Sequence, residues 1–336
     1  MTHNNVAVFI PHIGCPNMCS FCNQRSISGQ QTAPTPSDVK KICEQAFSEI
    51  SSENRNNTEI AFFGGSFTAI DRSFTEPLLK KAKEYIDSGV ISGIRISTRP
   101  DYIDDDILTY LKKYGVTAIE LGAQSMDDDV LRLNLRGHTA EDVRSASHAI
   151  MESGFELGLQ MMTGLYGSDR QKDEMTAESI IAIAPKTVRI YPAITLKGTL
   201  LERFFNEGKY TPPSLDETVE LCAKLYAGFM KNGIRVIRLG LHSIEKESYA
   251  AGPWHPSFGE LCESRIMLDL LLEKLLSEPT GEYFLHVSPR DVSKMIGQKR
   301  KNINTLKEMG YICSVLPRED IPGGTVRYER TDKSCT

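Results

Sequence analysis

Seven short apolar runs, each followed by a helical pattern, constrain this chain more than any other feature. The runs are Val6–Ile10, Thr58–Phe63, Ile94–Thr98, Val116–Leu121, Phe155–Met162, Thr187–Tyr191 and Ile234–Leu239. They read as strands buried on both faces, because apolar residues fill both parities. Between them lie helix signals. Thr35 or Ser37 can cap a helix whose apolar positions are Val39, Ile42, Cys43, Phe47 and Ile50. The stretches 77–86, 104–114, 139–153, 178–183 and 215–231 continue the alternation, with Thr139 and Asp142 spaced as a capping box. Strand–helix alternation implies a parallel sheet with right-handed crossovers. Periodicity by itself leaves open a full barrel, a partial barrel and an open sheet. The pattern changes after about Ala250. The turn-rich link 251–256 carries the single Trp, and it leads to a helix (258–276), a strand (283–287), a helix (289–309) and two strands (311–316, 325–328). This reads as two domains, 1–250 and a small C-terminal α+β tail at 251–336.

The chemistry gathers where the runs end. After the first run come Cys15, Cys19 and Cys22, spaced C-x3-C-x2-C with Phe21 before the last. Three thiolates on one short loop can hold a 4Fe–4S cluster with one iron left open, since a closed cluster takes four. A zinc knot with His12 nearby, or plain buried thiols, are the other readings. The remaining cysteines of the eight (Cys43, Cys222, Cys262, Cys313, Cys335) are scattered, as free thiols of a reducing compartment would be. The net charge of −5 on 336 residues does not suggest an obligate nucleic-acid binder. The first residues lack the basic and apolar regions of a signal peptide. No apolar run approaches the ~18 residues of a membrane span.

Further residues stand at the other run ends. Gly64-Gly65-Ser66 follows the second run; glycine lets backbone approach a ligand closely. Arg99 ends the third and suits a carboxylate in fork geometry, or a surface ion pair with Asp104–Asp106. Gln124 ends the fourth and can both donate and accept. Glu120 on that strand needs a partner if buried. Gln160 lies on the fifth run, Arg189 and Tyr191 share one face of the sixth, and Arg238 and His242 follow the seventh. His138, in Arg136-Gly137-His138-Thr139, reads as structural.

The cysteine loop resembles the signature of the radical S-adenosylmethionine (SAM) enzymes. The resemblance implies a partial (β/α)6-type barrel with its active site at the carboxyl ends of the strands. It also implies a 4Fe–4S cluster on Cys15, Cys19 and Cys22, SAM as second cofactor, and a 5′-deoxyadenosyl radical that takes hydrogen from substrate. SAM contacts are expected at Gly64, Gly65, Ser66, Arg99, Gln124 and Gln160, and Arg189, Tyr191, Arg238 and His242 are the substrate or catalytic candidates because runs six and seven would complete the barrel mouth. Ser66 replaces the family's Glu, and Tyr166 departs from a G-L-P-G pattern. Gly122-Ala123-Gln124-Ser125 is similar to a SAM-contacting stretch of the oxygen-independent coproporphyrinogen oxidases.

Phe62–Phe67, Thr98–Asp101, Gln124-Ser125 and Arg136–Thr139 resemble the radical SAM domain of the Elongator catalytic subunit, over roughly residues 5–260. With the chain ending at Thr336, its acetyltransferase domain is expected to be missing, as in stand-alone bacterial relatives that include the queuine lyases. These cut queuine to 7-aminomethyl-7-deazaguanine in queuosine salvage. The expectation is therefore a cytoplasmic lyase on a queuine-like small base, fed electrons by a flavodoxin or ferredoxin. Radical modification of a tRNA wobble base is the alternative, and an RNA-binding protein with a structural cluster the third reading. Residues 292–303 resemble the core of a KH RNA-binding module. Gly297-Gln298-Lys299-Arg300 lacks the second glycine of its G-x-x-G clamp. The basic run is expected to be a solvated helix end, and the tail to close the pocket rather than hold RNA.

Overall fold

A computed structural model describes residues 4–10, 14–15, 18–23, 32–51, 55, 57–241 and 244–331. His12, His242 and Cys335 lie outside the described residues. Two compact units make up the chain: residues 1–213 with 229–254, and 214–228 with 255–336.

The first unit is a parallel sheet in the order β1-β2-β3-β4-β5-β6-β8. Its strands are β1 (Asn4–Ile10), β2 (Thr58–Gly64), β3 (Gly93–Thr98), β4 (Val116–Gln124), β5 (Glu156–Thr163), β6 (Thr187–Pro192) and β8 (Arg235–Leu239). Every neighbouring pair is parallel, so all carboxyl ends fall on one edge. The sheet curls into a partial barrel. The helices between strands are α1 (Pro36–Glu49), α2 (Arg72–Asp87), α3 (Asp105–Lys113), α4 (Asp128–Leu133), α5 (Ala140–Glu152) and α6 (Arg170–Ile183). Then follow the short β7 (Thr195–Leu196) and α7 (Leu200–Asn206), with β9 (Tyr249–Ala251) pairing antiparallel to β7; α8 (Leu215–Lys231) lies largely in the second unit, which takes residues 214–228.

Local chemistry explains the ends. Thr35 and Asp38 form a capping box on α1, and Thr139 and Asp142 on α5. Helix α2 begins before Pro77, where the sequence pattern starts it. Asp71 caps it by accepting from the Ser73 N–H, and the Pro falls inside. Similarly, Asp169 starts α6 well ahead of residue 178. Ile60, Phe62, Ile94, Ile96, Ile119, Leu159, Val188 and Ile190 are fully or nearly fully buried. That burial, at ~25 cal/mol per Å² of apolar surface, drives the layering.

The second unit contains α9 (Phe258–Leu275), β10 (Gly281–Val287), α10 (Val292–Ile296), α11 (Lys301–Glu308), β11 (Tyr311–Pro317) and β12 (Val326–Arg330). Its sheet runs β11-β10-β12, with β11 parallel and β12 antiparallel to β10. Met267, Leu268, Leu271 and Leu275 of α9 pack with Tyr283, Leu285, Val287, Met295, Ile303 and Leu306 into one core. The single helix read from the sequence over 289–309 is two helices. Gly297 breaks it, at φ 78° and ψ 154°, a conformation only glycine adopts readily.

Candidate active site at the carboxyl edge of the sheet

The cysteine loop sits directly on the turn after β2. The Gly65 N–H donates to Ile10 O at 2.7 Å. Gly64 has φ 116°, and a Cβ there would stand 2.6 Å from Ile10 O; a Cβ on Gly14 would stand 2.3 Å from Ser66 O. Glycine is thus demanded by conformation and by close approach. Burial pushes the Cys15 thiol up, while the Ser66 backbone N–H donates to its sulfur, and Arg136 and Arg99 also pull it down. Ser66 itself is buried. Its hydroxyl accepts from the Arg99 N–H at 3.2 Å and pairs with the Thr98 hydroxyl at 2.9 Å. The side chain expected to touch cofactor therefore ties β2 to β3, and only its backbone faces the thiols.

Arg136 is the residue that sequence reasoning passed over. Its Nη1 donates to Cys19 Sγ at 3.1 Å and its Nη2 to Gly122 O at 2.5 Å. Asn134, wholly buried, holds the same loop. It accepts from the Ser20 hydroxyl at 2.6 Å, and its amide donates to Val130 O and Tyr166 O. Both follow the short α4, which Asp127 caps by accepting from the Val130 N–H. The sequence signal available was an Asn and an Arg just after an acidic helix start, Asp127–Asp129. Phe21 packs with Val130, Met162, Leu165, Ala193 and Tyr191.

Several buried polar atoms here have no partner among the described residues: Ser97 Oγ, Arg99 Nη1, Gln124 Oε1, Arg136 Nε and His138 Nδ1. Such atoms are uncommon and each wants an explanation. Arg99 gives its other two donors to Asp101, at 2.9 and 2.6 Å, and not to Asp104–Asp106. It is 4% exposed, yet its charge acts on Cys15 and Cys19. Gln124 ends β4 at φ 67°, a strained value for a side-chain-bearing residue. His138 faces Ala123 O through Nε2 at 3.2 Å. A carbonyl only accepts, so Nε2 carries the proton. Burial, then Arg136, push this imidazole down to about 4, so it is neutral at working pH.

The inner wall below is an ion ladder. Arg189 binds Glu120 in a fork, at 2.6 and 2.9 Å. Glu120 crosses β5 to reach it because Gly158 stands between, where a Cβ would be 2.9 Å from Glu120 Cγ. Arg95, 1% exposed, reaches Glu59 and Glu156 at 2.7 Å each and Glu120 at 3.5 Å. The Gln160 amide donates to Glu120 at 3.4 Å. Burial works against the Arg189 charge, but Glu120 outweighs it and holds the guanidinium above its ordinary value. Arg189 also lies 5.0 Å over the Phe63 ring, which neighbours Phe9. Its fork is thus spent on Glu120, where the sequence reading turned it toward substrate. Gln160 likewise faces the ladder. Tyr191 stands beside Arg189, and burial raises its phenol. Arg238 gives Nε to Gly240 O at 3.1 Å, and its Nη atoms make no hydrogen bond among the described residues.

Among the described residues no three His, Cys, Asp or Glu side chains close around one point as the ligands of a single ion do. Cluster thiolates stand on a wider circle, each on its own iron. A loop of three thiols, flanked by buried cations with spare donors, fits a cluster and an amino-acid ligand at its open position. A separate cavity of about 430 Å³ opens at the amino ends of β5, β6 and β8, beside Glu156, Lys186 and Ile234. It lies on the edge of the sheet opposite the thiols.

The profile of the Radical SAM superfamily matches residues 9–180, and that of the Radical SAM C-terminal domain matches residues 185–267. A "tRNA uridine(34) acetyltransferase" of Dehalococcoides mccartyi is 28% identical over 240 residues, covering 62% of this chain and 52% of that protein. Human "Elongator complex protein 3" is 28% identical over 231 residues, covering 63% and 42%. The chain spans about half the length, or less, of these curated relatives. A solved structure of Methanocaldococcus infernus Elp3 superposes with a TM-score of 0.65 at 22% identity, over 78% of this chain and 62% of that one. That likeness establishes the fold.

Proposed function

This chain belongs to the radical SAM superfamily, and from that premise we propose that it directs radical chemistry onto a heterocyclic base bound at the barrel mouth. The superfamily's cofactors are a 4Fe–4S cluster and SAM. When bound, they supply an electron to the sulfonium and, from its cleavage, a 5′-deoxyadenosyl radical that abstracts hydrogen. Cys15, Cys19 and Cys22 would hold the cluster. The observation that carries the reading is the set of orphaned buried donors and acceptors beside these thiols. Arg99 Nη1 suits the SAM carboxylate, the backbone at Gly64, Gly65 and Ser66 its amino group, and Gln124 Oε1 a ribose hydroxyl.

Within this class we put queuine first, cut at the C–N bond to give 7-aminomethyl-7-deazaguanine. Tyr191, whose phenol feels the Arg238 charge, and the neighbouring Phe9 and Phe63 rings, over which Arg189 lies, support a planar base with few charges. His242 stays a candidate from the sequence. We assign the chemistry to residues 1–250 and treat 251–336 as a tail domain. Thiolate chemistry calls for a reducing cytoplasm and a flavodoxin- or ferredoxin-type electron donor. Among the described residues no helix is long and apolar enough to cross a membrane.

The second reading is a tRNA wobble base, favoured by the similarity to the Dehalococcoides tRNA uridine(34) acetyltransferase. One experiment separates them. Reduced, reconstituted protein and SAM are incubated with queuine or with tRNA, and 5′-deoxyadenosine and base products are read by mass spectrometry. The lyase reading expects 7-aminomethyl-7-deazaguanine alongside 5′-deoxyadenosine. Inert queuine with tRNA-stimulated SAM cleavage would replace it with the wobble-base reading.

A further inference from the structure

Three helix-to-strand turns meet on the edge of the sheet opposite the thiols and border the cavity of about 430 Å³. They lead into β5, β6 and β8, which are neighbours in the sheet order. Each turn carries a left-handed residue: Gly154 at φ 79°, Ala184 at 57° and Gly233 at 73°. Glycine suits that conformation at a helix end. Ala184 adopts it at a steric cost, and it lines the cavity. The floor is apolar, made by Phe155, Leu157, Pro185 and Ile234. Sites for small molecules span roughly 300–1,000 Å³, so this volume holds one small ligand.

Two charges of opposite sign line the same cavity, and neither is matched within the fold. Glu156 is the outer end of the ion ladder. The ladder sets three carboxylates (Glu59, Glu120, Glu156) against two guanidiniums (Arg95, Arg189), which leaves one negative charge in excess. Glu59 also accepts from the Thr117 hydroxyl at 2.8 Å, and Glu120 takes the whole Arg189 fork. Glu156 has Arg95 alone, through Oε1 at 2.7 Å, and its Oε2 has no partner among the described residues. Its side chain is 30% exposed, against 8% for Glu59 and 1% for Glu120, so the excess charge meets the cavity here. Lys186 is exposed, and its main chain is fixed on both sides. Its N–H donates to Leu157 O at 2.9 Å, and its carbonyl accepts from the Arg235 N–H at 3.3 Å. The Lys186 ammonium has no acidic partner among the described residues.

We propose that this cavity binds a free α-amino acid with an apolar side chain, its ammonium on Glu156 and its carboxylate on Lys186. A phosphorylated ligand would be repelled by Glu156 and would find a single cation. A simple amine would set a second positive charge beside Lys186 and leave it unmatched. A zwitterion satisfies both charges at once, and its side chain takes the apolar floor. The site stands on the opposite edge of the sheet from the thiols, so the inference is independent of the proposed reaction and its substrate.

The test uses the reconstituted full chain with its cluster oxidised and SAM in excess, which fills the amino-acid position at the cluster and prevents turnover. Isothermal titration calorimetry then follows L-leucine, 4-methylpentanoate (leucine without its ammonium) and isopentylamine (leucine without its carboxylate). L-leucine should bind saturably. Each truncated probe should bind at least about tenfold more weakly, the loss of one charge-assisted hydrogen bond. Lys186→Gln should weaken leucine binding by a similar factor, with the melting temperature of the wild type because the side chain is exposed. Glu156→Gln should weaken it likewise. Lys307→Glu, a charge change in the second unit, should leave binding intact. Absence of saturable leucine binding, a truncated probe that binds as tightly as leucine, wild-type affinity in Lys186→Gln, or equal loss in Lys307→Glu would overturn the assignment.

Discussion

At the scale of single residues, the site depends on who donates to each sulfur. Arg136 places a buried N–H on Cys19 Sγ. A hydrogen bond to a cluster thiolate stabilises the reduced, more negative state and so raises the potential. Arg136→Met is expected to reconstitute about four irons per chain, as the wild type does, but with a lower midpoint potential in an EPR-monitored redox titration. An unchanged potential would leave Arg136 as a prop for Gly122 alone. Cys19→Ala should lose SAM cleavage altogether, and intact cleavage would remove Cys19 from the ligand set. Glu120 is the other pivotal residue, since Arg189 and Arg95 both point at it from buried positions. Taking away one partner of a buried ion pair strands the other charge, at roughly 3–5 kcal/mol. Glu120→Gln should show a loss of that order in urea unfolding. Replacing both Glu120 and Arg189 by Met should cost less than Glu120→Gln, because no charge is left unpaired.

At the scale of elements, the loop between β5 and α6 hangs on Asp173. Its carboxylate accepts from the Gly164 N–H at 2.8 Å and the Ser168 hydroxyl at 2.6 Å. Burial nevertheless raises its pKa to about 6 from an ordinary 3.8. A raised carboxyl means the folded state holds a proton that the unfolded state has released between those values. Stability from this group is therefore complete below about 3.8 and lost as pH rises through about 6. The loss is on the order of 3 kcal/mol at ~1.4 per pKa unit. The melting temperature of Asp173→Asn should lack this component. The difference between variant and wild type should move between pH 4 and 6.5 and be flat above. A difference that is flat throughout would show that Asp173 titrates as it does unfolded.

At the scale of the whole molecule, the two units have their own cores. The core of α9, β10 and β11 draws only on the second unit. The single Trp254 belongs to the first, where it packs with Tyr249, Ile194, Leu196 and Ile244. Tryptophan fluorescence therefore reports the first unit, while far-UV circular dichroism reports both. Denaturant curves from the two probes should not coincide. Coincident curves would show the two units unfolding as one.

Much of this was decided by sequence alone. Apolar runs at fixed alternation with helices determine a parallel sheet, because short-range periodicity states which faces are buried. The positions of Cys15, Gly64, Arg99 and Gln124 just past run ends then place them on one edge, since parallel strands all finish on the same side. Spacing along the chain carries no information about contacts across it. So the pairing of Arg189 with Glu120 through the gap at Gly158, and of Arg136 with Cys19, 117 positions earlier, was open until the strands were brought side by side. The same holds for the turn at Gly297. Sequence shows a basic run that a solvated helix end explains. Only the packing of α10, α11 and edge strand β11 makes Arg300 part of the wall of a groove, because a concave surface is made by elements meeting and not by any one of them.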